Sequence, residues 1–514
     1  MGSEKRDELA AVARGGLLSL VGAGSSALFG YLLVVIVARG LGAHEAGVFF
    51  EAIALFTIVS AITQLGADAG LVRGLPRQLE LGRAADVRRS IVVAVVPVLA
   101  AGTALGVLMF AFAPEISRLV IHGADDEASV PYLRVLALFL PLSAASRVVL
   151  AGARGLGTIL PFVVVENLGK SALRPLLALA VVLAGLGSVA LALTWALPIA
   201  AGFLVAIAWL LVLLARRERG ERPRGERTEN RQLAREFWAF AAFRGAALTC
   251  QVAIAWLDVL LVGALASAAA AGVYAAAGRY IAVGSFALQA VILVIGPQVS
   301  VLLARGDTGG AQRMYQTATW WLAAVAFPIY LTLAVFAPFF VGAFGAGFSS
   351  GESVLTIVAP AMLVSMAAGP VTVMLLMAGK SSWNLANTAV ALSVNVGLNF
   401  VLIPRFGIEG AAAAWATSIV LANLLPLVEV RTFLRLQPLG AGLAVVSLAS
   451  AVCFGVFGAL ARLALGVSPA SFALFAAVGT GVYVVVLWRF RAVLRFAVFR
   501  DAVRVRAQRA AVQT

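Results

Sequence analysis

Residues 161–181 read PFVVVENLGKSALRPLLALAV, a stretch that is apolar for long enough to cross a bilayer and yet contains three charged side chains. Glu166, Lys170 and Arg174 recur every fourth residue, so they lie on one face of the predicted helix. A charge at the centre of a bilayer costs about 2.5–3.5 kcal/mol on insertion scales. Glu166 and Lys170 can pair, which leaves Arg174 as an unmatched cation deep in the membrane.

We therefore expect this charged face to line the interior of a helix bundle or an electropositive, water-filled cavity. The alternative is a salt bridge between neighbouring helices, with an arginine whose long side chain reaches the membrane surface. The two interpretations differ in whether a cavity adjoins the charges.

The composition predicts a polytopic membrane protein. Of the 514 residues, 62% are hydrophobic and only 12% are charged, whereas about 25% are charged in soluble proteins. The net charge of +15 is concentrated in predicted connections and at the C-terminus. It therefore indicates membrane orientation and attraction to anionic lipid headgroups, and not nucleic-acid binding. The two cysteines, Cys250 and Cys453, lie in apolar segments, and neither a disulfide framework nor a metal site follows from them.

Runs of about 20 apolar residues predict fourteen transmembrane helices. Arginines crowd the connections that this topology places on one side, such as 73–89 and 216–235, and are sparse on the other side. By the positive-inside rule, both termini are expected in the cytoplasm. The approximate extents are 15–38, 46–65, 90–113, 131–152, 158–184, 188–215, 237–262, 270–300, 315–342, 353–377, 383–403, 408–430, 438–461 and 469–490.

Internal similarity predicts two related halves. AGVF at 46–49 recurs as AGVY at 271–274, and the Gly and Trp-Ala positions of 186–196 recur in 406–416. Six helices in each repeat predict that an axis along the membrane normal relates the halves. The predicted parts are an N-lobe at 1–215 (helices 1–6), a charged cytoplasmic linker at 216–236, a C-lobe at 237–430 (helices 7–12), two extra helices at 431–490 and a basic cytoplasmic tail at 491–514.

Two motifs carry a resemblance to a known family. LIPRFGIEGAA at 402–412 resembles a recurrent signature of the polysaccharide-biosynthesis flippases, which belong to the multidrug/oligosaccharidyl-lipid/polysaccharide (MOP) exporter superfamily. VARGLGAHEAG at 37–47 is similar to that family's first outer loop and the start of its second helix. The resemblance covers nearly the whole chain. It implies an all-α polytopic fold in which two six-helix lobes enclose a central cavity.

The same resemblance implies a function. The expected protein is a flippase of the bacterial inner membrane, not an enzyme, that moves a polyprenyl-pyrophosphate-linked oligosaccharide from the inner to the outer leaflet by alternating access. Its implied partners are membrane lipids and the polymerase or glycosyltransferases of the same pathway. No metal or cofactor is expected, apart from H⁺ or Na⁺ as a coupling ion; the membrane potential is an alternative driving force.

Charged and polar side chains within the predicted helices are the candidate site residues. Arginine contacts phosphate oxygens bidentately and lysine acts as a point charge, so a cavity lined by cations can replace water around a pyrophosphate. The candidate substrate-binding cations are Arg147, Lys170, Arg174, Arg244 and Arg279. The candidate coupling or pairing acids are Glu51, Glu166 and Asp258, and the further polar candidates are Asn167, Gln251 and Tyr280.

One polar stripe is predicted on the seventh helix. Arg244, Gln251 and Asp258 are seven residues apart and so share a face. Arg244 and Asp258 lie about 21 Å apart along that helix, so each needs a partner elsewhere or lines water. For Tyr280, stacking on a sugar and plain packing are both open.

Other functions remain alternatives at this stage. A multidrug antiporter and a lipid II flippase of the same superfamily are both weakened by a first helix, 16–38, without ionisable residues. A polytopic glycosyltransferase or polymerase would present acids in a large outer loop, and the largest acidic cluster here is Asp125-Asp126-Glu127 in a short loop. The chain has no Walker A sequence, which excludes ATP hydrolysis by that motif. A non-transporting scaffold could also contain such charges.

Overall fold

A computed structural model describes residues 2–120, 126–220 and 229–494. Three predicted features fall at least partly outside the described residues: Asp125 of the acidic cluster, the middle of the linker at 216–236, and most of the tail at 491–514. Within these ranges the chain forms helices joined by turns, and no strand occurs there. This is the expected outcome for apolar runs in a bilayer, because a helix satisfies its backbone N–H and C=O groups within one segment. The predicted all-α polytopic fold is confirmed.

The first part of the described chain contains nine α-helices of very different lengths. They are α1 (Gly2–Thr63), α2 (Ala67–Glu80), α3 (Val87–Ala111), α4 (Ala113–Val120), α5 (Asp126–Gly155), α6 (Leu160–Phe162), α7 (Ser171–Leu183), α8 (Ser188–Gly220) and α9 (Asn230–Leu265). A π-helix, Val163–Lys170, joins α6 to α7, and a 3₁₀ turn, Ala84–Asp86, precedes α3.

The rest of the described chain continues in the same way. Its helices are α10 (Ala268–Ala304), α11 (Thr308–Val335), α12 (Ala337–Gly342), α13 (Gly351–Ala368), α14 (Val371–Met377), α15 (Ser381–Glu429), α16 (Ala441–Ser450), α17 (Phe457–Leu465) and α18 (Pro469–Arg489). A 3₁₀ turn, Ala346–Phe348, precedes α13. Two further π-helices, Val430–Leu434 and Ala451–Val456, follow α15 and α16.

Single glycines divide the two longest helices. Gly42 in α1 (φ 81°, ψ 178°) and Gly407 in α15 (φ 56°, ψ −132°) have backbone angles outside the helical region, which a residue without a β-carbon adopts easily. Each of these helices is therefore two helices joined at one residue. In the described part of the chain, ten helices, with these two counted once each, are long and apolar enough to span a membrane. The count of fourteen is consistent with these bounds and stays a prediction.

Contacts divide the chain into two compact units. The first contains Met1–Ala276 and Leu398–Ala411, and the second contains Ala277–Gly397 and Ala412–Thr514. The predicted six-plus-six lobes are a statement about an internal repeat, and they stay a prediction.

The core of the first unit lies where α3, α5 and α8 pack with α2 and α9. Leu71, Val98 and Val148 are fully buried in it. α3 and α5 approach so closely at Gly102 that a β-carbon at this position would lie 2.8 Å from Pro141 Cα. Small residues at such crossings let membrane helices pack through van der Waals contact.

The second unit contains an aromatic cluster around its last helices. The rings of Phe336 and Phe475 stack with centroids 4.7 Å apart, and those of Phe339 and Phe472 stack at 4.4 Å. Such pairs stabilise packing beyond simple burial. They attach α18 to the α11–α12 region within this unit.

Candidate substrate-binding cavity

A cavity of about 420 Å³ lies within the first unit, which is in the range of small-molecule sites. Its apolar lining includes Phe56, Phe162, Trp195, Ile199, Leu248, Val252 and Trp256. Its polar lining consists of Ser26, Thr57, Ser60, Gln64, Asp68, Ser143, Arg147, Glu166, Asn167, Lys170, Ser171 and Arg174. Three cations therefore face two carboxylates, and the lining has a net charge of +1.

Glu166 is the centre of an ionic cluster in this lining. Lys170 Nζ donates to Glu166 Oε2 at 2.7 Å, and Arg147 Nη2 lies 3.9 Å from Glu166 Oε1. The Lys170 ammonium also donates to Ser146 Oγ at 3.1 Å. Lys170 is only 4% exposed, whereas Arg147 is exposed to the cavity. The predicted pairing of Glu166 with Lys170 is thus present, and a cavity adjoins it.

The local backbone explains how this cluster is accommodated. Residues 163–170 form a π-helix, a geometry with one extra residue in a turn that recurs at functional sites. Ser171 Oγ donates to the Glu166 carbonyl oxygen at 3.2 Å, so that backbone group keeps a partner. Space for the side chains comes from glycines on neighbouring helices. A β-carbon at Gly202 would lie 2.6 Å from Lys170 Cε, and one at Gly22 would lie 2.9 Å from Asn167 Nδ2.

Arg174 differs from the prediction that it is an unmatched cation. Its guanidinium lies 3.5 Å from the centre of the Trp195 ring on α8. A cation over the face of an indole is attracted by the negative charge of the ring face, and the attraction grows when the pair is desolvated. The tryptophan could not be inferred from the local pattern, since it comes from a different helix.

The predicted polar stripe on α9 does not face this cavity. Arg244 and Gln251 are exposed, and neither belongs to the lining. The lining instead takes Gly245, Leu248, Val252 and Trp256. Gly245 and Val252 each lie one position after a residue of the stripe, which corresponds to a rotation of about 100°. The face of α9 towards the cavity is therefore mostly apolar, and hydropathy alone does not mark it.

Asp258 lies in a separate buried site of the first unit. Its Oδ2 accepts from the Tyr274 hydroxyl at 3.0 Å, and its Oδ1 accepts from Asn399 Nδ2 at 2.8 Å. The carboxylate is 3% exposed and joins α9, α10 and α15. Of the two predicted possibilities, a partner elsewhere or contact with water, Asp258 thus shows the first, and its partners include two neutral donors.

Glu51 is a buried acid without a hydrogen-bond partner among the described residues. It is fully buried in the second half of α1, and neither carboxyl oxygen has a hydrogen-bond partner in the described structure. It packs against the backbone of Gly263, where a β-carbon would lie 2.2 Å from Glu51 Oε2. A buried carboxylate without donors is strongly unfavourable.

Arg279 and Tyr280 belong to the second unit. Arg279 is half-buried there. The Tyr280 hydroxyl donates to the Phe340 carbonyl oxygen at 2.7 Å, and its ring packs on Phe340 and Phe344. These contacts favour packing for Tyr280, and its role as a polar cavity residue stays a prediction.

Several lining residues were not predicted. Trp195 and Trp256 present aromatic surface to the cavity, and pairs of serine hydroxyls connect its walls. Ser26 Oγ and Ser171 Oγ are 2.9 Å apart, as are Ser60 Oγ and Ser143 Oγ. Isolated serines and tryptophans in apolar helices are common, so they carry no signal before the helices are placed. No group of three or more potential metal ligands occurs among the described residues.

Comparison with solved structures defines the class of fold. An inward-facing multidrug resistance MATE family transporter of the MOP superfamily matches with a TM-score of 0.68 and 15% identity, over 80% of this chain and 94% of the other. The lipid II flippase MurJ in an inward closed conformation matches with a TM-score of 0.68 and 11% identity, over 93% of this chain and 99% of the other. The protein is therefore a polytopic membrane protein with the fold of the MOP superfamily.

Sequence comparison then assigns the family. The profile of the family described as "Polysaccharide biosynthesis protein" matches residues 12–302, which is more than half of the chain. The chain belongs to this family. It is also 26% identical over 171 residues to the "Probable low-salt glycan biosynthesis flippase Agl15" of Haloferax volcanii. That match covers 33% of this chain and 36% of the relative, so the chain spans about a third of the length of this relative.

Proposed function

We propose that the protein is a flippase, and not an enzyme, that moves a lipid-linked anionic glycan across the membrane. The observation that carries the proposal is the ionic cluster of Arg147, Glu166 and Lys170 beside Arg174 on a 420 Å³ cavity. Family membership and the flippase named among its relatives support the same function. The substrate class that fits is a polyprenyl-pyrophosphate-linked oligosaccharide moved from the inner to the outer leaflet.

In this proposal the phosphate oxygens bind the cations that surround Glu166, whose carboxylate accepts a hydrogen bond from Lys170. The carboxylate orients Lys170 and Arg147 through ion pairs. A pyrophosphate offers them a larger negative charge and more acceptor oxygens, and arginine can meet two of these at once. Glu166 thus holds the cations in place for the phosphate oxygens. Its partial neutralisation of the lining also lets the substrate leave.

The aromatic lining suits the sugar part of the substrate. Trp195 and Trp256 contribute rings to the same cavity as the cations. Sugar rings present C–H faces that pack on aromatic surface, while their hydroxyls can bond to Ser26, Ser143 and Asn167. A site with both kinds of group fits a charged glycan better than it fits either a purely apolar drug or a bare phosphate. The net positive lining also opposes the cationic drugs that a multidrug antiporter would carry.

We place the coupling ion, a proton, at Glu51. Asp258 has two hydrogen-bond donors, which stabilise it without a proton, whereas Glu51 has none in the described structure. Binding a proton removes the unfavourable buried charge from the contact with Gly263. Movement of α1 away from α9 would hydrate the carboxyl group and release that proton. Glu51 would then link protonation to the rearrangement of these two helices.

The remaining aspects of the proposal concern the cellular setting. The arginine-rich connections support a cytoplasmic position for both termini in a bacterial inner membrane. The partners that fit are the glycosyltransferases that make the lipid-linked glycan and the polymerase that consumes it.

Transport of a labelled polyprenyl-pyrophosphate glycan in proteoliposomes tests the proposal. The fraction of label accessible from outside is followed for the wild type and for Lys170→Ala and Arg174→Ala, with Arg244→Ala as the matched control outside the cavity. We expect both cavity variants to lose transport by at least tenfold while the control keeps it. Full transport by the cavity variants, or an equal loss in the control, would show that this cavity is not the substrate site.

A further inference from the structure

A second concave surface of the first unit lies where α2 meets the start of α9. This arginine cleft has a volume of about 570 Å³ and is lined by Arg73, Arg77 and Arg83, with Glu236, Phe237 and Phe240 on the side of α9. Three cations thus face one carboxylate. The flippase proposal does not use this surface, and its chemistry is independent of the central cavity.

The walls of the cleft are fixed by close backbone packing. Leu65 and Gly66 have positive φ angles of 52° and 74°. The chain therefore changes direction between the end of α1 and the start of α2. A β-carbon at Gly66 would lie 2.1 Å from the Ala241 carbonyl oxygen, and one at Gly70 would lie 2.7 Å from Phe237 Cζ. The two helices are therefore in direct contact along one edge. The cleft is preformed, which lowers the entropic cost of binding.

The arginines of the cleft keep much of their hydrogen-bonding capacity. The Arg73 guanidinium lies 4.2 Å from the centre of the Phe240 ring. This contact occupies one face of the guanidinium and leaves the N–H groups at its edges available. Arg83 is a loose 3.9 Å from Glu236, and both side chains are about half exposed. Arg77 is exposed and has no ion pair within the described part of the chain. An anion entering the cleft thus meets three guanidinium groups that are not saturated.

The depth of the cleft points to a lipid headgroup. The segment of α1 after Gly42 runs to Thr63, which is about 31 Å at 1.5 Å per residue and close to the hydrocarbon thickness of about 30 Å. α2 therefore begins at the level of the headgroups. Val72 and Leu81 beside the arginines are 40% and 58% exposed, as suits residues at a boundary with acyl chains. These exposed apolar groups favour a lipid over a soluble acidic protein segment.

We propose that the arginine cleft binds the phosphate headgroup of an anionic phospholipid from the surrounding leaflet. Basic pockets between helices on the cytoplasmic side of membrane proteins are suited to such headgroups, and arginine matches the phosphate geometry bidentately. Bound there, the lipid contacts both α2 and the start of α9. It thereby stabilises the contact between these helices.

Lipid retention by the purified full-length protein tests this site. Delipidated protein in detergent is titrated with phosphatidylglycerol or phosphatidylcholine, and bound lipids are counted by native mass spectrometry. The variant is Arg73→Gln/Arg77→Gln, and the matched control is Arg305→Gln/Arg313→Gln, which removes two exposed arginines, one between α10 and α11 and one in α11. We expect the wild type and the control to bind one phosphatidylglycerol molecule with the same affinity. The cleft variant should bind it roughly 30-fold more weakly.

Further measurements make the result decisive. The preference for phosphatidylglycerol should fall as salt is raised, because exposed charges are screened. Arg77→Gln alone serves if the double variant unfolds, since Arg77 is exposed. Equal retention by wild type and cleft variants, an equal loss in the control, or no preference over phosphatidylcholine would overturn the proposal. So would binding of inorganic phosphate with the same affinity as the lipid.

Discussion

Gly202 of α8 lies directly against the side chain of Lys170, so that a β-carbon at position 202 would be 2.6 Å from Lys170 Cε and 3.1 Å from Val165 Cγ1. Lysine side chains are normally flexible enough to move away from such a contact. Lys170 is held at its end by Glu166 and Ser146, so the room to move is small. The glycine is therefore part of what allows a buried cation in this helix.

We expect Gly202→Ala to displace the Lys170 ammonium and to lower the free energy of unfolding by about 1–3 kcal/mol, as is usual for overpacking. Glycan transport should fall with it. Gly24→Ala in α1 is the matched control, because a β-carbon there meets nothing within 4 Å. Unfolding in mixed micelles and transport in proteoliposomes measure the two effects. Normal transport by Gly202→Ala would show that the position of Lys170 is not critical.

The ion pair of Glu166 and Lys170 should be strongly coupled. Glu166→Gln leaves two cations without their carboxylate, and breaking a buried pair costs about 3–5 kcal/mol. The double variant Glu166→Gln/Lys170→Met should be less destabilised than the sum of the single variants, since it removes both charges. A double-mutant cycle of unfolding free energies gives the coupling. The half-exposed pair of Arg83 and Glu236 is the control, and its coupling should be about 0–1 kcal/mol.

Glu51→Gln tests the coupling role of the isolated acid. The amide has nearly the same shape and is neutral, so packing against Gly263 should be preserved and stability should not fall. If Glu51 carries the coupling proton, an imposed pH gradient should no longer accelerate transport by this variant. Asp258→Asn is the comparison, and it should keep the response to the gradient. Stimulation of Glu51→Gln equal to that of wild type would remove the assignment.

Tyr280→Phe separates packing from substrate contact. The variant removes the hydroxyl that donates to the Phe340 carbonyl oxygen and keeps the ring in its aromatic neighbourhood. Hydrogen bonds between membrane helices contribute about 0.6–1.7 kcal/mol. We expect a loss of stability in this range and unchanged transport. A transport defect without a stability defect would instead indicate that the hydroxyl contacts the glycan.

The sequence predicted those features that depend on neighbours along the chain. Apolar runs located the helices, and the spacing of Glu166 and Lys170 was sufficient to predict their pairing. Features that join distant segments were not accessible. Trp195 under Arg174, and Gly202 beside Lys170, come from a different helix and have no local signature.

The rotation of α9 about its own axis is a second feature that the sequence could not predict. Its polar residues suggested which face is functional, yet the cavity takes the neighbouring apolar face through Gly245 and Val252. A helix in a membrane can direct an apolar face to a cavity as readily as to lipid. Hydropathy therefore cannot decide its rotation. The same ambiguity applies to Tyr280, because its ring and hydroxyl suit packing as well as contact with a sugar.

The π-helix at 163–170 separates the two ends of the charged segment by a turn that holds one surplus residue. If that turn returned to α geometry, α7 would rotate by about 100° relative to the residues that precede the turn. Arg174 could then change its bearing with respect to Glu166 while the helix stays intact. Such a change would reorient one charged group of the cavity lining without unwinding the segment.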